Sequence, residues 1–472
     1  MKRKKNFLNK SETVRKNALF IYPYRKPDKF QFYNMAPPVG LEYIATAVKP
    51  LVTELDVVDM RYEKMPIETF LSEKDYVGFG LNWDHQLKFA LEILKQVEEN
   101  SVVIWGGLYA TEQAERLMKE NPRIDILVKA EGESAAMEIF SGMPLEDVAG
   151  ILYRKKGKII TTRDRNSYPK TMDLFPDRSL RRYSYEAVAP LGIKVGFDTI
   201  MTSRGCNFSC EFCTHRFDSD GNIRRWSYRS AENVVAEIKQ ITAQIIGISD
   251  DDFTVDKKRV EKICDLLIEQ KIKKIFLVES RIEIGNHPEL IAKMFKAGFR
   301  FIAYGLESAQ DKTLKRIGKG FSKKKAIEAF KTINKFPILS YGFFIVGYIH
   351  ETREEALEIA EFARELNLDF INTAKLKALE GSPLREIVKK LPGYYIDNDT
   401  RVYSDLISKK EVYDIARQIR RRFYTRHQIL QIIIKITRSG LLFRKAVLQS
   451  LWVIFIGDFV AKKLKKNLIK LT

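Results

Sequence analysis

Cysteine and histidine are scarce in this chain of 472 residues, which has four cysteines and five histidines. A secreted domain held together by disulfides would have more cysteines in a shorter chain, so a disulfide framework is excluded and reduced thiols are expected. No uninterrupted run of about 20 apolar residues occurs, which argues against a clear membrane span. The basic start, Met-Lys-Arg-Lys-Lys, is not followed by an apolar run of signal-peptide length, and we expect a cytoplasmic protein.

Internal repeats and low-complexity segments are also lacking, and the composition is that of a globular protein, with 45% hydrophobic and 30% charged residues. The length suggests two or three domains. The net charge of +20 is unusual and favours an anionic partner, such as nucleic acid, a membrane surface or an acidic substrate. Most of this charge is local, because residues 417–472 contain 14 Lys and Arg against one acid, Asp458.

Short apolar runs alternate with helical spacing in the first part of the chain. The runs predict strands at 18–22, 55–59, 76–80, 102–105 and 124–128, with helices at 41–51, 87–97 and 112–119. This alternation predicts an α/β fold, with a doubly wound parallel sheet of the Rossmann or flavodoxin type over residues 1–140. Ligands of such sheets bind beyond the carboxyl ends of the strands.

A second alternating series begins near residue 197, after a proline-interrupted connector at 141–196. Its six predicted strands lie at 199–203, 245–249, 274–279, 301–306, 341–346 and 370–376. Six strands with intervening helices predict a barrel over residues 197–385, either partial, as (β/α)6, or full. The remaining residues, 386–472, read as a basic helical region.

Three cysteines fall within eight residues, in the motif C-N-F-S-C-E-F-C, as Cys206, Cys210 and Cys213. A loop with this spacing can wrap one metal centre, and three thiolates leave one iron of a 4Fe–4S cluster open for a substrate. The alternative is a structural zinc site with His215 as fourth ligand, although zinc sites favour paired Cys-x-x-Cys or Cys/His sets. Cys264 lies on an apolar helical face and is expected to be a core residue.

The motif and its place directly after a predicted strand resemble the radical S-adenosylmethionine (SAM) superfamily, whose hallmark is C-x-x-x-C-x-x-C with an aromatic residue before the last cysteine. The resemblance implies that the three cysteines hold a 4Fe–4S cluster and that SAM binds its open iron. One electron, from a donor such as flavodoxin or ferredoxin, then cleaves SAM to a 5′-deoxyadenosyl radical. Matches of context at the ends of the strands imply SAM contacts from Phe212, Asp250, Asp251, Arg281, Glu307, Ser308, Gly342, Ile345 and Gly347.

Stretches at 39–45, 106–111 and 131–133, together with the barrel, resemble the cobalamin-binding subgroup of this superfamily. This resemblance implies cobalamin at the carboxyl edge of the first sheet, contacted by Gly106, Gly107, Glu131 and Gly132. The usual cobalt ligand of Asp-x-His-x-x-Gly is missing, since the loop after the second strand reads Asp-Met-Arg-Tyr-Glu, so a base-off cofactor without a protein His is expected. The alternative is a sheet kept for folding or partner contact, with no cofactor.

The resemblance therefore implies a cobalamin-dependent radical SAM enzyme, and the leading hypothesis is a C-methyltransferase that acts on an unactivated carbon. In that reaction one SAM methylates cobalamin, and a second gives the radical that abstracts hydrogen from the substrate. The alternatives are a radical SAM cyclase, oxidoreductase or carbon–carbon coupling enzyme without methyl transfer, and an iron–sulfur nucleic-acid-binding protein. Nucleic acid is not expected as a partner, because the basic segment is rich in Leu, Ile, Val and Phe and does not resemble a stacking groove.

From residue 424 onward, basic residues alternate with apolar blocks, and the last block, at 447–460, is too short to span a bilayer comfortably. Apolar surface beside clustered lysines, with Trp452 at headgroup depth, predicts an interfacial helix on the inner face of an anionic membrane. A lipid would then join small molecules as a candidate substrate. The alternative is that these helices cap the barrel with their apolar faces.

Overall fold

The computed structural model describes residues 16–24, 36–165, 174–188, 194–214, 226–379 and 382–441. Within these residues the chain forms two seven-stranded sheets, the first from the N-terminal part and the second from the central part. Both are built from strands that alternate with helices. The predicted fold class, a parallel α/β sheet followed by a partial barrel, is confirmed.

The first sheet has the strand order β2-β1-β3-β4-β5-β6-β7, and its first five strands are parallel. These strands are β1 (Asn17–Tyr22), β2 (Glu54–Asp59), β3 (Tyr76–Gly80), β4 (Val102–Gly106) and β5 (Ile126–Val128). The helices are α1 (Val39–Val48), α2 (Glu68–Leu71), α3 (Leu87–Leu94), α4 (Leu108–Glu112), α5 (Ala114–Glu120) and α6 (Glu133–Phe140). Apolar clusters cover both faces of the sheet, as expected for parallel strands buried between two helical layers.

Part of the predicted connector at 141–196 belongs to this sheet. Strand β6 (Ile151–Lys155) pairs antiparallel with β5, and β7 (Lys158–Thr161) pairs antiparallel with β6. The two residues of the turn, Lys156 and Gly157, both have positive φ, at 53° and 80°, as a tight two-residue hairpin requires. The hairpin was not predicted because basic residues interrupt its apolar pattern around the turn.

The second sheet is a half-barrel with the order β16-β15-β14-β13-β12-β9-β8. Its six parallel strands are β9 (Lys194–Ile200), β12 (Ile245–Ile248), β13 (Ile275–Ser280), β14 (Phe299–Glu307), β15 (Leu339–Val346) and β16 (Phe370–Lys375). A short antiparallel strand, β8 (Glu186–Val188), pairs with β9. The helices that cover it are α7 (Ala231–Gln240), α8 (Lys257–Glu269), α9 (Pro288–Ala297), α10 (Asp311–Ile317), α11 (Lys323–Ile333), α12 (Arg353–Leu357) and α13 (Ile359–Glu365).

The first barrel strand lies earlier than the predicted 199–203. It ends at Ile200, and Ser203–Arg204 form a separate two-residue strand, β10, paired with β11 (Ser227–Tyr228). The chain leaves the main sheet here because the Asp250 carboxylate at the end of β12 accepts hydrogen bonds from the Thr202 backbone and the Ser203 hydroxyl, both at 2.6 Å. The segment that leads to the three cysteines is thereby held across the carboxyl ends of the strands.

The C-terminal region continues with helices that pack on the half-barrel. Its described elements are α14 (Pro383–Lys389), β17 (Tyr394–Ile396), β18 (Val402–Ser404), α15 (Lys409–Phe423) and α16 (Arg426–Arg438). The barrel-capping alternative is observed for α15 and for one face of α16, whose buried side chains join the barrel clusters. No described helix is long and apolar enough to cross a membrane. The apolar block at 447–460, with Trp452, lies outside the described residues.

A buried ion network joins the two sheets. Arg181, between them in the chain, pairs with Glu42 of α1 at 2.7 Å and with Asp198 of β9 at 2.8 Å. Arg178 pairs with Asp198 at 2.9 Å and with Glu237 of α7 at 2.7 Å. Burial alone would raise the pKa of Asp198, but the hydrogen bonds and charge of Arg181, with the charge of Arg178, hold that pKa below its ordinary value. The network fixes α1 against the first strand and helix of the half-barrel.

Candidate active site

The three motif cysteines lie on one loop, which follows β10 at the carboxyl end of the half-barrel. All three are free thiols. Gly205, directly before the loop, has φ of 82° and donates its backbone N–H to the Asp251 carboxylate at 2.8 Å, so the position favours glycine. Among the described residues no three His, Cys, Asp or Glu side chains are gathered closely enough to hold a metal ion, so the thiols share a loop without forming a closed ligand set.

The donor set itself fits a 4Fe–4S cluster. Three thiols within one loop are the ligands that such a cluster uses when one iron stays open. Burial raises the pKa of Cys206, and the nearby carboxylates Asp252 and Asp251 add to this effect, against the opposing influence of the Phe208 backbone and Arg281. A thiol that coordinates a metal ion loses its proton, so the positive charge of the irons in a cluster would offset the cost of ionising the Cys206 thiol. His215, the suggested fourth ligand of a zinc site, lies outside the described residues.

Glu211, inside the motif, anchors the loop on three sides. Its backbone N–H donates to Ile317 O and its carbonyl accepts from the Leu384 N–H, both at 3.0 Å. Its carboxylate accepts from the Tyr348 hydroxyl at 2.8 Å and from Arg316 Nε at 3.2 Å. Glu211 was not predicted as a site residue, although its position between the second and third cysteines of the motif could have indicated a role in the loop.

Several predicted SAM residues do surround the cysteine loop. The Arg281 guanidinium lies 3.6 Å from the ring centre of Phe208, within the loop, and pairs with Glu283 at 2.8 Å. Ile345 and Cys210 are buried in one apolar cluster, against which Phe212 packs. The end of β13, the end of β15 and the cysteine loop therefore meet at one place, as the resemblance implied.

Carboxylates are concentrated in the half-barrel beside this loop. Glu279 is accessible to solvent, but desolvation by the surrounding protein, followed by the charges of Asp251, Glu307 and Asp252, together raise its pKa to about 7. Glu307 is paired with the buried Lys319 at 3.1 Å. This concentration of negative charge suits a cationic ligand, and SAM carries a sulfonium and an ammonium group. Glu279 and Lys319 were missed in the sequence, because nothing in their spacing separates them from surface charges.

Three other predicted SAM residues are accounted for by local structure. The buried Asp250 carboxylate is used by the Thr202 and Ser203 hydrogen bonds. Ser308 accepts the Gln310 N–H at 3.1 Å, and a side chain on Gly342 would approach Leu368 to 2.7 Å. These residues hold the strand ends in place, and their contacts with SAM stay predictions.

Gly347, the last predicted SAM residue, follows β15 in a turn with positive φ that a buried acid supports. Its φ is 82°, and its N–H donates to Glu351 at 2.8 Å. Glu351 is 1% exposed, and burial raises its pKa to about 7, against hydrogen bonds from Gly347 and Tyr348. The folded protein therefore holds a proton on Glu351 at pH values where the unfolded chain has released it.

This raised pKa predicts a pH-dependent effect of Glu351→Gln. The protonated Glu351 contributes to the free energy of unfolding fully below about pH 4.5, and this contribution is lost as the pH rises through 7. The loss is up to about 3 kcal/mol. The glutamine side chain does not ionise, so the variant avoids this loss. Urea unfolding at pH 5 and pH 8 should therefore show the variant gaining on the wild type at the higher pH. Glu354→Gln, at an exposed position nearby, is the control. Parallel pH curves for the two variants would contradict the assignment.

A cavity of about 560 Å³ lies in the N-terminal part, between the first sheet and helices α1 and α6. This volume is within the usual range of small-molecule sites, about 300–1,000 Å³. Its deep wall is apolar and includes Phe20, Leu41, Ile44, Ile104, Ile139 and Phe140. Its mouth is at the carboxyl ends of the strands and is also lined by Met201, Arg204 and Thr214 from the half-barrel. Since Thr214 follows Cys213, the cavity opens beside the cysteine loop.

All four predicted cobalamin residues line this cavity, but they differ in role. A side chain on Gly106 would meet nothing closer than 3.7 Å, so it would occupy the cavity. Gly107 has φ of 105°, and a side chain there would lie 2.8 Å from Asn82 Oδ1, so its conformation alone requires glycine. A side chain on Gly132 would crowd Ile44, whose nearest atom would be 3.0 Å from the added Cβ. The glycines thus keep open an apolar space that would hold part of a cobalamin, and the residues present fit that cofactor.

Arg204 links the cavity mouth to the cysteine loop. It pairs with Glu131 at 2.8 Å and with Glu133, in the first turn of α6, at 2.5 Å, and its guanidinium lies 5.1 Å from the ring centre of Tyr43. Arg204 is 8% exposed. A buried arginine two residues before the first cluster cysteine therefore fixes the loop against the N-terminal sheet.

The radical SAM superfamily model matches residues 200–363, which include all three cysteines and strands β12 to β15. An uncharacterised methyltransferase of Pyrococcus horikoshii is 29% identical over 385 residues, covering 76% of this chain and 79% of the relative. The anaerobic magnesium-protoporphyrin IX monomethyl ester cyclase of Rubrivivax gelatinosus is 23% identical over 437 residues, covering 88% of this chain and 78% of the cyclase.

Solved structures share the fold of most of the chain. The radical SAM methyltransferase TsrM from Kitasatospora setae, with cobalamin and a [4Fe-4S] cluster bound, aligns with a TM-score of 0.67 at 15% identity, covering 86% of this chain and 85% of that protein. The cobalamin-dependent enzyme OxsB, with aqua-cobalamin and SAM bound, aligns with a TM-score of 0.65 at 17% identity, covering 85% of this chain and 66% of OxsB. At these identities the likeness shows the fold.

The family match confirms the predicted enzyme class, with its 4Fe–4S cluster and SAM. The structural likeness adds the N-terminal sheet to the half-barrel in the same chain order. Residues 200–363 thus form a radical SAM domain, the chain is an enzyme of this class, and its N-terminal sheet precedes that domain in the same order as in the two solved cobalamin-dependent enzymes.

Proposed function

We propose that the protein is a cobalamin-dependent radical SAM methyltransferase that methylates an unactivated carbon. The observation that carries this proposal is the shared wall between the two candidate cofactor sites. Arg204 and Thr214, which flank the cysteine loop, also line the mouth of the cavity in the N-terminal part. A methyl carrier in the cavity and a radical generated at the loop would then act on one substrate between them.

When bound, the cluster with SAM supplies the radical chemistry and cobalamin supplies a methyl carrier. The chain's own residues bind and orient these groups. Cys206, Cys210 and Cys213 would hold the cluster, and Glu211 holds their loop in place. The carboxylates around Glu279 would face the cationic part of SAM, and Gly106 leaves room for the corrinoid. Arg204 keeps both sites in register by its pairs with Glu131 and Glu133.

A methyltransferase is also supported by the similarity to the Pyrococcus horikoshii protein. The second candidate function, radical cyclisation without net methyl transfer, is supported by the Rubrivivax gelatinosus cyclase, which matches 88% of this chain. Both functions use the same radical, so the fold does not separate them. The further partners proposed are a one-electron donor such as flavodoxin or ferredoxin, and a small molecule or a lipid as substrate.

The two candidates differ in their products from SAM. Methyl transfer of this kind should release both S-adenosylhomocysteine and 5′-deoxyadenosine in each turnover with substrate, since one SAM donates a methyl group and another is cleaved. The reconstituted protein is incubated anaerobically with SAM, a reductant and an extract of the cells that make the protein, which supplies the substrate. Both products are then quantified by mass spectrometry. 5′-Deoxyadenosine without S-adenosylhomocysteine would favour the cyclase type and contradict methyl transfer.

A further inference from the structure

Helix α16 has apolar side chains on two faces, and only one of them is packed against other residues that the structure describes. On the inner face Ile432 is buried in a barrel cluster and Gln428 donates to Leu368 O. On the outer face four large aliphatic side chains are solvent-exposed, Ile429 at 39%, Leu430 at 54%, Ile433 at 53% and Ile434 at 42%. Their spacing of i, i+1, i+4 and i+5 places them in one continuous stripe along the helix.

Basic side chains surround this stripe. From Arg417 to Leu441 the chain has seven basic residues and no acid. Arg421 and Arg422 at the end of α15, and Arg426 and Arg438 at the two ends of α16, are exposed. An aliphatic stripe flanked by arginines has the chemistry of an interfacial helix on anionic lipid.

We propose that the outer face of α16 is an attachment site for an anionic lipid surface. A nucleic acid would be attracted by the same arginines, but four aliphatic side chains offer no stacking partner for bases. The basic character continues in the following residues, 442–472, with seven further Lys and Arg against Asp458. The lipid surface therefore suits both the apolar and the charged parts of this region.

The position of α16 shows which side of the enzyme would face the lipid. Lys435 pairs with Asp369, directly before β16, at 2.7 Å, and Arg300 at the start of β14 donates to Ser439 O at 3.0 Å. Helix α16 therefore lies at the amino ends of the barrel strands, whereas the cysteine loop lies at their carboxyl ends. Attachment through α16 leaves the active site facing away from the lipid. The site thus localises the enzyme, and a lipid substrate does not follow from it.

Flotation of the full-length protein with vesicles tests this site. The wild type should float with phosphatidylcholine vesicles that contain phosphatidylglycerol, and less so at high salt, where the charges are screened. Leu430→Glu with Ile433→Glu should weaken binding by about ten-fold or more, since it removes apolar contact and adds negative charge. The matched control is His427→Glu with Gln431→Glu, which adds the same two acids to the polar flank of α16 without removing apolar contact, so it should weaken binding clearly less than Leu430→Glu with Ile433→Glu.

Several results would overturn the proposal. They are absence of flotation of the wild type, and equal flotation of the wild type and the Leu430/Ile433 variant, which would place any lipid contact elsewhere. A drop in thermal stability or a change of oligomeric state in that variant would show that a protein segment or a second copy covers the stripe. A salt-dependent gel shift with RNA, without flotation, would assign the surface to nucleic acid.

Discussion

Replacing Cys213 with alanine is expected to abolish SAM cleavage. With one of three thiolates missing, the cluster has too few protein ligands to be held with a single open iron. The same loss is expected for Cys206→Ala and Cys210→Ala. The iron content of the anaerobically reconstituted proteins should fall from about four irons per chain in the wild type to well below that number, and 5′-deoxyadenosine should become undetectable.

The matched control for these variants is Cys264→Ala. Cys264 is buried in the core on α8, where burial raises the pKa of its thiol and keeps it protonated. This variant should retain both iron and SAM cleavage, with at most a small loss of thermal stability. 5′-Deoxyadenosine formation by Cys213→Ala, or loss of iron in Cys264→Ala, would contradict the assignment of the three ligands.

Gly106→Val is expected to reduce cobalamin retention by at least about ten-fold without unfolding the protein. The valine would enter open cavity space, since the nearest atoms to its Cβ are 3.7 Å away, and a β-branched residue suits a strand. Gly106→Ala should give a smaller effect in the same direction. Cobalamin that stays with the protein through gel filtration is measured by its absorbance, together with the unfolding temperature of the cofactor-free protein.

The structure makes Gly107 unsuitable for this test. A residue other than glycine at φ of 105°, with Asn82 at 2.8 Å from its Cβ, would disturb the end of β4 whether or not a cofactor binds. Gly107→Ala should therefore lower the unfolding temperature of the cofactor-free protein, whereas Gly106→Val should not. If Gly106→Val retained cobalamin as the wild type does, the cavity would not be the cofactor site.

Local pattern was enough to predict most of the fold. Short apolar runs bounded by turn residues predicted β3 at 76–80, and the structure has Tyr76–Gly80. Such runs are informative because a parallel strand between two helical layers is apolar on both sides. The β6–β7 hairpin lies at the edge of its sheet, where basic residues are tolerated, so its apolar pattern is weak. Strand β9 was misplaced because its end depends on hydrogen bonds to Asp250, which is distant in sequence.

The residues of the candidate site could be predicted only where they lie close together in one short segment of the sequence. The cysteine motif is such a segment, and the family match includes it. Glu279, Lys319 and the Arg204–Glu131 pair involve residues that meet only through the fold, so no spacing in the sequence reveals them. The hydrogen bonds that the Asp250 carboxylate accepts from Thr202 and Ser203 also depend on the fold, and its predicted contact with SAM stays a prediction.

The central claim, that one chain carries a radical SAM cluster beside a corrinoid site, is tested most directly by cofactor stoichiometry. The wild-type protein is reconstituted anaerobically with iron, sulfide and hydroxocobalamin, passed through gel filtration, and analysed for iron and cobalt. We expect about four irons and one cobalamin per chain, with the base-off absorbance that results when no protein histidine binds cobalt. Full iron content without retained cobalamin would contradict it.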